Sequence, residues 1–373
     1  MKEILDIVRA WEATAADGLP CALATIVGVT GSSYRRPGAR MLFSPGGRLA
    51  GLINAACLEA DLALRAADVI RGGRPVLVTY DSRDSRDIVL GLGLGCEGAV
   101  EILLEPGSHP VVRQKIQYLK TVATEGTPGA LATVVRATGW QDAQVGDYVA
   151  RASNGAMATT IRDSRLSAAI GADTASMGTT PFDRKKYSRG QEEADVFLEA
   201  ILPPLRLIVF GAGPDAVPLV DTAKLLGWHV TVIDRRPAYA IPPRLPCADE
   251  VLISEGLPPG LAITDRHAAV IMTHHYLTDR ALLPALLESP ARYVGLLGPR
   301  EKRQRLLRDL QGAGFTPSRS QLDRLYAPVG LDIGAETPEE IALSVVAEIA
   351  AVVGGRSGGS LRRRPGRIHE VPG

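Results

Sequence analysis

The 373-residue sequence has almost no net charge, few cysteines and no apolar run long enough to cross a membrane. Its 42 lysines and arginines nearly balance 41 aspartates and glutamates, so no overall field would draw the chain onto nucleic acid or an anionic membrane. Four cysteines are too few for a disulfide scaffold. An apolar content of 46% and a charged content of 22% nevertheless indicate a globular chain with a sizeable core.

The first residues lack the pattern of an export signal, because Glu3 and Asp6 interrupt the place where such a signal has its apolar core. No stretch of about 18 apolar residues occurs elsewhere in the sequence. We therefore expect a cytoplasmic protein that contacts neither membrane nor nucleic acid. In that reducing compartment a cysteine acts through its thiol rather than through a disulfide.

The pattern of strands and helices predicts an α/β protein with two domains and a tail. In the first third of the chain, short β-rich runs alternate with turns around one helix, and residues 1–203 are predicted to form a β-rich α+β domain. Residues 204–355 alternate strands with helices, which is typical of a Rossmann-like, doubly wound parallel sheet. The Gly/Ser/Arg-rich residues 356–373 are predicted to be a basic flexible tail.

An internal echo predicts that the first domain contains two related β-rich halves. Residues 22–31 (ALATIVGVTG) and 130–139 (ALATVVRATG) match at seven of ten positions, with an offset of 108 residues. The second copy has neither the Arg35-Arg36-Pro37 segment nor a cysteine. We therefore expect the chemistry of the first copy to occur once.

The clearest motif is a G-x-G-x-x-A sequence that follows an apolar strand in the second domain. Gly211 permits a tight turn, Gly213 lets a pyrophosphate approach the backbone, and Ala216 lets the helix pack on the strand. Asp234 ends the next strand, where an acid usually holds ribose hydroxyls, and Arg235 follows it. The motif predicts a Rossmann-like fold, and it leaves open whether a dinucleotide binds or the glycines only make the turn.

Two further strand ends of the second domain carry candidate ligand-binding residues. His274 follows one strand, and a turn with Gly295, Gly298 and Arg300 follows another, at the carboxyl edge where open α/β sheets bind ligands. A solvated basic helix is the alternative interpretation of the second segment. His274 and its neighbour His275 would point to different sides, and no His/Cys spacing typical of zinc occurs, so we expect no metal site.

Two cysteines of the first domain are candidates for sulfur chemistry. Cys57 precedes a predicted helix, a position that favours a thiolate, and Cys96 closes a glycine-rich loop whose amides could face an anion. Arg35, Arg36 and Arg40 would add positive charge if the fold brings them near. The alternative is that both cysteines are small core residues without a chemical role.

Together, these motifs resemble the xanthine dehydrogenase accessory proteins, the XdhC/CoxI-like family of molybdenum-cofactor chaperones. The segments that carry the resemblance are residues 31–41, 57–61, 91–96, 210–213, 272–274, 295–300 and 328–342. This ordered set is specific, whereas a lone glycine motif would be weak.

The resemblance implies an accessory protein rather than an enzyme in its own right. Such proteins bind molybdenum cofactor as molybdopterin or its dinucleotide form, keep it available for sulfuration and deliver it to a molybdoenzyme apoprotein. A cysteine desulfurase is another expected partner. A homodimer is expected only because it is the commonest assembly of soluble proteins. On this interpretation Cys57 and Cys96 act in sulfur transfer, and the cofactor contacts fall on Gly211, Gly213, Asp215, Asp234, Arg235, His274, Gly295, Gly298, Arg300, Arg35 and Arg36.

Residues 54–56 depart from the family pattern, since Asn-Ala-Ala stands where the family usually has Ser-Gly-Gly before the cysteine. Each added methyl group limits how closely a phosphate can approach, so the cofactor form, the client enzyme or the affinity is expected to differ. The alternative function is an NAD(P)-dependent oxidoreductase or a nucleotide-sensing protein that uses Gly211, Gly213 and Asp234. An oxidoreductase would also need an acid or base, and the first domain offers one histidine, His109.

Overall fold

The computed structural model describes residues 1–31, 33–53, 58–81, 98–178 and 180–364. The chain divides into two compact units, Met1–Pro203 and Pro204–Gly373. Among the described residues, none of the helices combines the length and apolar character that a membrane span requires.

The first unit consists of two halves with the same order of elements. The first half contains α1 (Lys2–Ala16), β1 (Ala22–Gly31), β2 (Arg40–Ser44), β3 (Gly47–Gly51), α2 (Glu59–Gly72), β4 (Val76–Asp81) and β5 (Gly98–Pro106). The second half contains α3 (Pro110–Glu125), β6 (Gly129–Thr138), β7 (Tyr148–Ala152), β8 (Met157–Thr159), α4 (Ser164–Ser176), β9 (Phe182–Arg189) and β10 (Glu192–Ile201).

Each half forms one five-stranded antiparallel sheet, in the orders β3-β2-β1-β5-β4 and β8-β7-β6-β10-β9. The register of β1 on β5 shifts at Val27, and that of β6 on β10 shifts at Val135, its counterpart in the sequence echo. Both valines are buried in one apolar cluster with Leu103 and Phe197. The two halves therefore share topology, register irregularity and core.

Two buried ion pairs join the halves. Arg40 of β2 pairs with Glu199 of β10, and Lys115 Nζ of α3 lies 2.7 Å from Glu105 Oε1 of β5. Burial raises the pKa of Glu199, and the positive charges of Arg40 and Lys115 oppose that effect. Because a buried charge without its partner is costly, each half depends on the other. From the sequence, Arg40 was expected to add positive charge near the cysteines. In the structure Glu199 compensates this charge.

The second unit contains a six-stranded, all-parallel sheet in the order β13-β12-β11-β14-β15-β16. Its elements are β11 (Arg206–Phe210), α5 (Ala216–Leu225), β12 (His229–Asp234), β13 (Glu250–Ile253), β14 (His267–Ile271), α6 (Tyr276–Glu288), β15 (Tyr293–Leu296), α7 (Arg300–Gly312), α8 (Arg319–Leu322), β16 (Leu325–Tyr326) and α9 (Pro338–Val353). Short 3-10 turns occupy Pro242–Arg244 and Leu361–Arg363.

Helices cover both faces of this sheet, because its central strand is apolar at every second position on each side. Leu207 and Val209 of β11 pack into a cluster with residues of α5 and α9, whereas Ile208 and Phe210 pack into a cluster with residues of α6 and α7. A strand buried on both faces needs such an unbroken apolar run. The predicted fold class, a β-rich domain followed by a Rossmann-like doubly wound sheet, is confirmed.

Candidate functional site

The carboxyl ends of β11, β12 and β14 surround a cavity of about 190 Å³ in the second unit. Four predicted site residues line it together: Gly211, Asp234, Arg235 and His274. Ligands of open α/β sheets bind at this edge, outside the carboxyl ends of the strands. This cavity is therefore the candidate functional site of the second unit.

Gly211 is required by the packing of the turn that follows β11. Its φ is +120°, and a Cβ at this position would lie 2.4 Å from the carbonyl oxygen of Met272, at the end of β14. Any other residue would be strained and would also collide with backbone. The first glycine of the motif thus lets two neighbouring strand ends approach each other.

Asp234 has its carboxylate oxygens already engaged by the protein. Its Oδ2 accepts hydrogen bonds from the Ala212 amide (2.8 Å) and Arg236 Nη2 (2.7 Å). Its Oδ1 accepts from the Arg236 amide (2.8 Å) and Nε (2.9 Å). Burial raises the pKa of Asp234, but the donors on Arg236 and Ala212 outweigh it and lower the pKa to about 2. A ribose would have to replace Arg236, whose guanidinium also stacks 4.0 Å above the Tyr239 ring.

Most amides of the glycine turn are also engaged. The Gly211 amide donates to Ile233 O (2.8 Å), the Ala212 amide donates to Asp234, and the Ala216 amide donates to Gly213 O (3.0 Å). Pro214 has no amide hydrogen to offer. The turn therefore presents fewer donors to a pyrophosphate than its motif indicates.

Asp215 and His274 form a contact across the edge of the site. Asp215 Oδ2 lies 2.7 Å from His274 Nε2, and Asp215 Oδ1 lies 2.5 Å from where a Cβ on Gly213 would stand. Among the described residues, His274 is the non-glycine residue with positive φ, at +55°. Such backbone conformations are uncommon outside glycine and concentrate at functional sites.

The second glycine turn is occupied by a lysine of this chain. Lys302 Nζ donates to the carbonyl oxygen of Leu297 (2.8 Å) and lies 2.6 Å from Asp279 Oδ2. Asp279 is fully buried and accepts a hydrogen bond from Thr273 Oγ1. The Lys302 stem crosses Gly298, since a Cβ there would lie 2.7 Å from Lys302 Cδ. Sequence reasoning missed Asp279, because an aspartate in the first turn of a helix carries no distinctive signal.

The other residues predicted in this turn lie in different surroundings. Gly295 is buried inside β15, where a Cβ would lie 2.7 Å from Val329 Cγ2 and 2.8 Å from Tyr293 Cε1. The absence of a side chain at Gly295 thus serves packing. Arg300 is exposed at the start of α7, where a ligand could reach it.

The candidate residues of the first unit are only partly within the described chain. Cys57, Cys96 and residues 54–56 and 91–95 lie outside the described residues. Arg35 Nη2 donates to Glu3 Oε2 (2.6 Å), and the amide of Arg40 donates to Glu3 Oε1 (3.0 Å). Arg36 follows Arg35 in the same segment, and its carbonyl oxygen accepts from the amide of Ala39 (3.2 Å). Hydrogen bonds to Glu3 therefore link residues 35–40 to α1.

The remaining cysteines differ in exposure. Cys21 is buried, and burial raises the pKa of its thiol. Cys247 is exposed, and a hydrogen bond with Asp221 raises the pKa of its thiol. Within the described ranges, no group of three or more His, Cys, Asp or Glu side chains could hold a metal ion.

Comparison with known proteins gives matches over both units. Residues 207–349 match the family described as XdhC Rossmann domain, and residues 14–81 match the XdhC and CoxI family. The chain is 34% identical over 330 residues to a Bacillus subtilis (strain 168) protein that is named as a probable xanthine dehydrogenase subunit, covering 88% of this chain and 91% of that protein.

Two further relatives match nearly the whole chain. It is 25% identical over 342 residues to the Escherichia coli (strain K12) protein named "Molybdenum cofactor insertion chaperone PaoD", covering 90% of this chain and 84% of that protein. A crystal structure described as a xanthine dehydrogenase from Bacillus halodurans superposes with a TM-score of 0.76 at 31% identity, covering 96% of this chain and 98% of the other.

Proposed function

The chain belongs to the XdhC and CoxI family, and from that membership we propose that it is a molybdenum-cofactor chaperone. It binds the cofactor as cargo, assists its sulfuration and inserts it into a molybdoenzyme of the xanthine dehydrogenase or carbon monoxide dehydrogenase type. The observation that carries this proposal is the similarity, over 90% of the chain, to a protein named as a molybdenum cofactor insertion chaperone. A cysteine desulfurase is the proposed source of sulfur.

The proposed site for the phosphate end of the cargo is the cavity of the second unit. Arg235 is exposed at its wall, and Arg236 and His274 also line it. Guanidinium groups bind phosphate well, because their donors match its oxygens. Molybdopterin carries a phosphate and its dinucleotide form a pyrophosphate, so this donor set fits either form. The exposed Arg300 would extend the phosphate site towards the second turn, although the Lys302 side chain covers Gly298 there.

Cys57 and Cys96 are the proposed sulfur-handling residues. Their assignment rests on the family segments in the sequence, since both lie outside the described residues. Sulfur transfer to the molybdenum needs a thiolate, which is the reactive form of cysteine. Neither described cysteine meets that requirement, because the pKa of Cys21 and that of Cys247 are both raised.

An NAD(P)-dependent oxidoreductase or a nucleotide sensor has less support. Asp234, the residue expected to bind ribose, is held by Arg236 and Ala212. His109, the histidine of the first unit, caps α3, where its Nδ1 accepts from the amide of Val111 at 3.3 Å. That role is structural, so His109 gives the oxidoreductase hypothesis no support.

Client activation tests the assignment of the cysteines. We expect Cys57→Ala and Cys96→Ala each to fold and to abolish activation of a co-expressed molybdoenzyme, measured as client turnover per molybdenum bound. Cys247→Ser is the matched control and should activate fully, because Cys247 is exposed and its thiol is not in the thiolate-favouring surroundings of a sulfur carrier. Full activation by both alanine variants would remove the sulfur role.

A further inference from the structure

The surface of Gly213 that faces a ligand in other Rossmann turns is covered here by a side chain of the same chain. The second glycine of the motif lacks a side chain so that a pyrophosphate can approach the backbone at that point. In this chain Asp215 Oδ1 lies 2.5 Å from the position that a Cβ on Gly213 would take. A carboxylate oxygen thus lies against the face of Gly213 that the missing side chain leaves open.

The direction of the Asp215 side chain is unusual for its position. Asp215 is the N-cap of α5, and an aspartate there normally accepts a hydrogen bond from the first helical turn. The Asp215 side chain makes no such bond, and its Oδ2 lies 2.7 Å from His274 Nε2. The cavity reaches Gly211 and His274, whereas Gly213 and Asp215 are not among the described residues that line it.

We propose that Asp215 is an internal competitor for phosphate, which occupies the phosphate position on Gly213 and is held there by His274. A phosphate or pyrophosphate group has to displace this carboxylate, because two anions at one turn repel each other. The contact lies at the edge of the site, where the His274 side chain is 63% exposed and the Asp215 side chain 24% exposed. The neighbouring carboxylate, Asp234, is already paired with Arg236 and does not compete.

The role inferred for Asp215 rests on the proposed function, because a chaperone that inserts its cargo into a client has to release it. An occupied phosphate position weakens the binding of any phosphate-bearing ligand and so favours transfer to a client. It also disfavours NAD(P), whose pyrophosphate would have to lie on the same glycine. Asp215 would therefore lower the affinity of this turn for every phosphate-bearing ligand, the cargo included.

Titration of the full chain with inorganic pyrophosphate, followed by calorimetry, tests the proposal without any molybdenum cofactor. Asp215→Asn keeps the shape of the side chain and removes its charge, so we expect affinity for pyrophosphate to rise about tenfold. The matched control is Asp221→Asn, which removes one exposed carboxylate from the same helix. Its affinity should stay within about twofold of the wild type.

A second variant keeps the test valid if Asp215→Asn fails to fold. Asp215→Ala removes the carboxylate altogether and loses no cap bond, because the Asp215 side chain makes none. Affinity for pyrophosphate should rise here as well, because no carboxylate then lies against Gly213. Unchanged affinity in both variants, or an equal rise in Asp221→Asn, would overturn the proposal. A rise in a chain that carries no pterin would keep this inference and remove the chaperone function.

Discussion

His267 lies buried at the amino end of β14, directly beside Arg206 of β11. Burial lowers the pKa of this imidazole and the neighbouring charge of Arg206 lowers it further, to about 4. Its Nδ1 accepts a hydrogen bond from the Thr264 amide at 3.0 Å, which a neutral ring can do. His267 is therefore neutral in the folded protein at any pH above that value. In the unfolded chain a histidine takes up a proton near pH 6.5.

This difference makes the stability of the second unit depend on pH. Below about pH 6.5 the histidine of the unfolded chain binds a proton, whereas His267 of the folded protein does not. The free energy of unfolding therefore falls as the pH drops towards 4. From pH 7.5 to pH 5 we expect this histidine to lower the free energy of unfolding by about 2 kcal/mol. Urea unfolding of wild type and His267→Asn at the two pH values measures the effect. An equal loss in the variant would show that other groups cause it.

The sequence predicted which residues lie at the candidate site but not which side chains contact each other there. The spacing of the motif correctly located Gly211, Asp234, Arg235 and His274 at one sheet edge. It could not show that Arg236 folds back onto Asp234, because that depends on side-chain rotamers. It also could not show that Asp215 reaches His274, which is 59 residues away in the sequence. Partners of a carboxylate are set by the assembled fold, so motif spacing overestimated how available Asp234 is to a ligand.

Among the elements, α9 begins with a capping box formed by Thr337 and Glu340. Thr337 Oγ1 accepts from the Glu340 amide (3.3 Å), and Glu340 Oε2 accepts from the Thr337 amide (2.9 Å). The helix buries Val345 and Ile349 in the core of the second unit. Its correct start therefore aligns an apolar face with the sheet.

Removal of this cap should destabilise the second unit. Thr337→Ala leaves the Glu340 amide without its partner, and we expect the free energy of unfolding in urea to fall by about 1 kcal/mol. Thr337→Ser keeps the hydroxyl and should remain within a few tenths of a kcal/mol of the wild type. An alanine variant that unfolds at the same urea concentration as the serine variant would show that the cap contributes nothing.

The elements themselves were predictable where local patterns are strong. The sequence pattern predicts strands at residues 205–210, 229–233, 250–253, 268–273 and 293–297, and the observed strand bounds differ from these by at most two residues. It missed β16, since two residues carry no periodicity. It also missed α3, although His109 and Pro110 form a capped helix start and Gly126 ends the helix with a left-handed conformation. The start and end signals of α3 are therefore present in the sequence, but no family motif marks that segment.

At the scale of the whole molecule, the first unit has duplicated architecture with unequal contents. The echo between residues 22–31 and 130–139 corresponds to equivalent central strands, β1 and β6, in two sheets of equal order. The ion pairs across the halves were beyond sequence reasoning, because Arg40 and Glu199 are 159 residues apart. The family segments with Arg35, Arg36, Cys57 and Cys96 occur only in the first copy. The first half thus carries the candidate functional residues, whereas both halves contribute to the core.

Recovery of pterin from the purified protein decides whether this chain carries molybdenum cofactor. The protein would be prepared from a host that makes molybdopterin and from one that cannot, then denatured and oxidised to release a fluorescent pterin. Our account predicts a stoichiometric signal from the first host and none from the second. Equal signals from both hosts, or no signal from either, would contradict it.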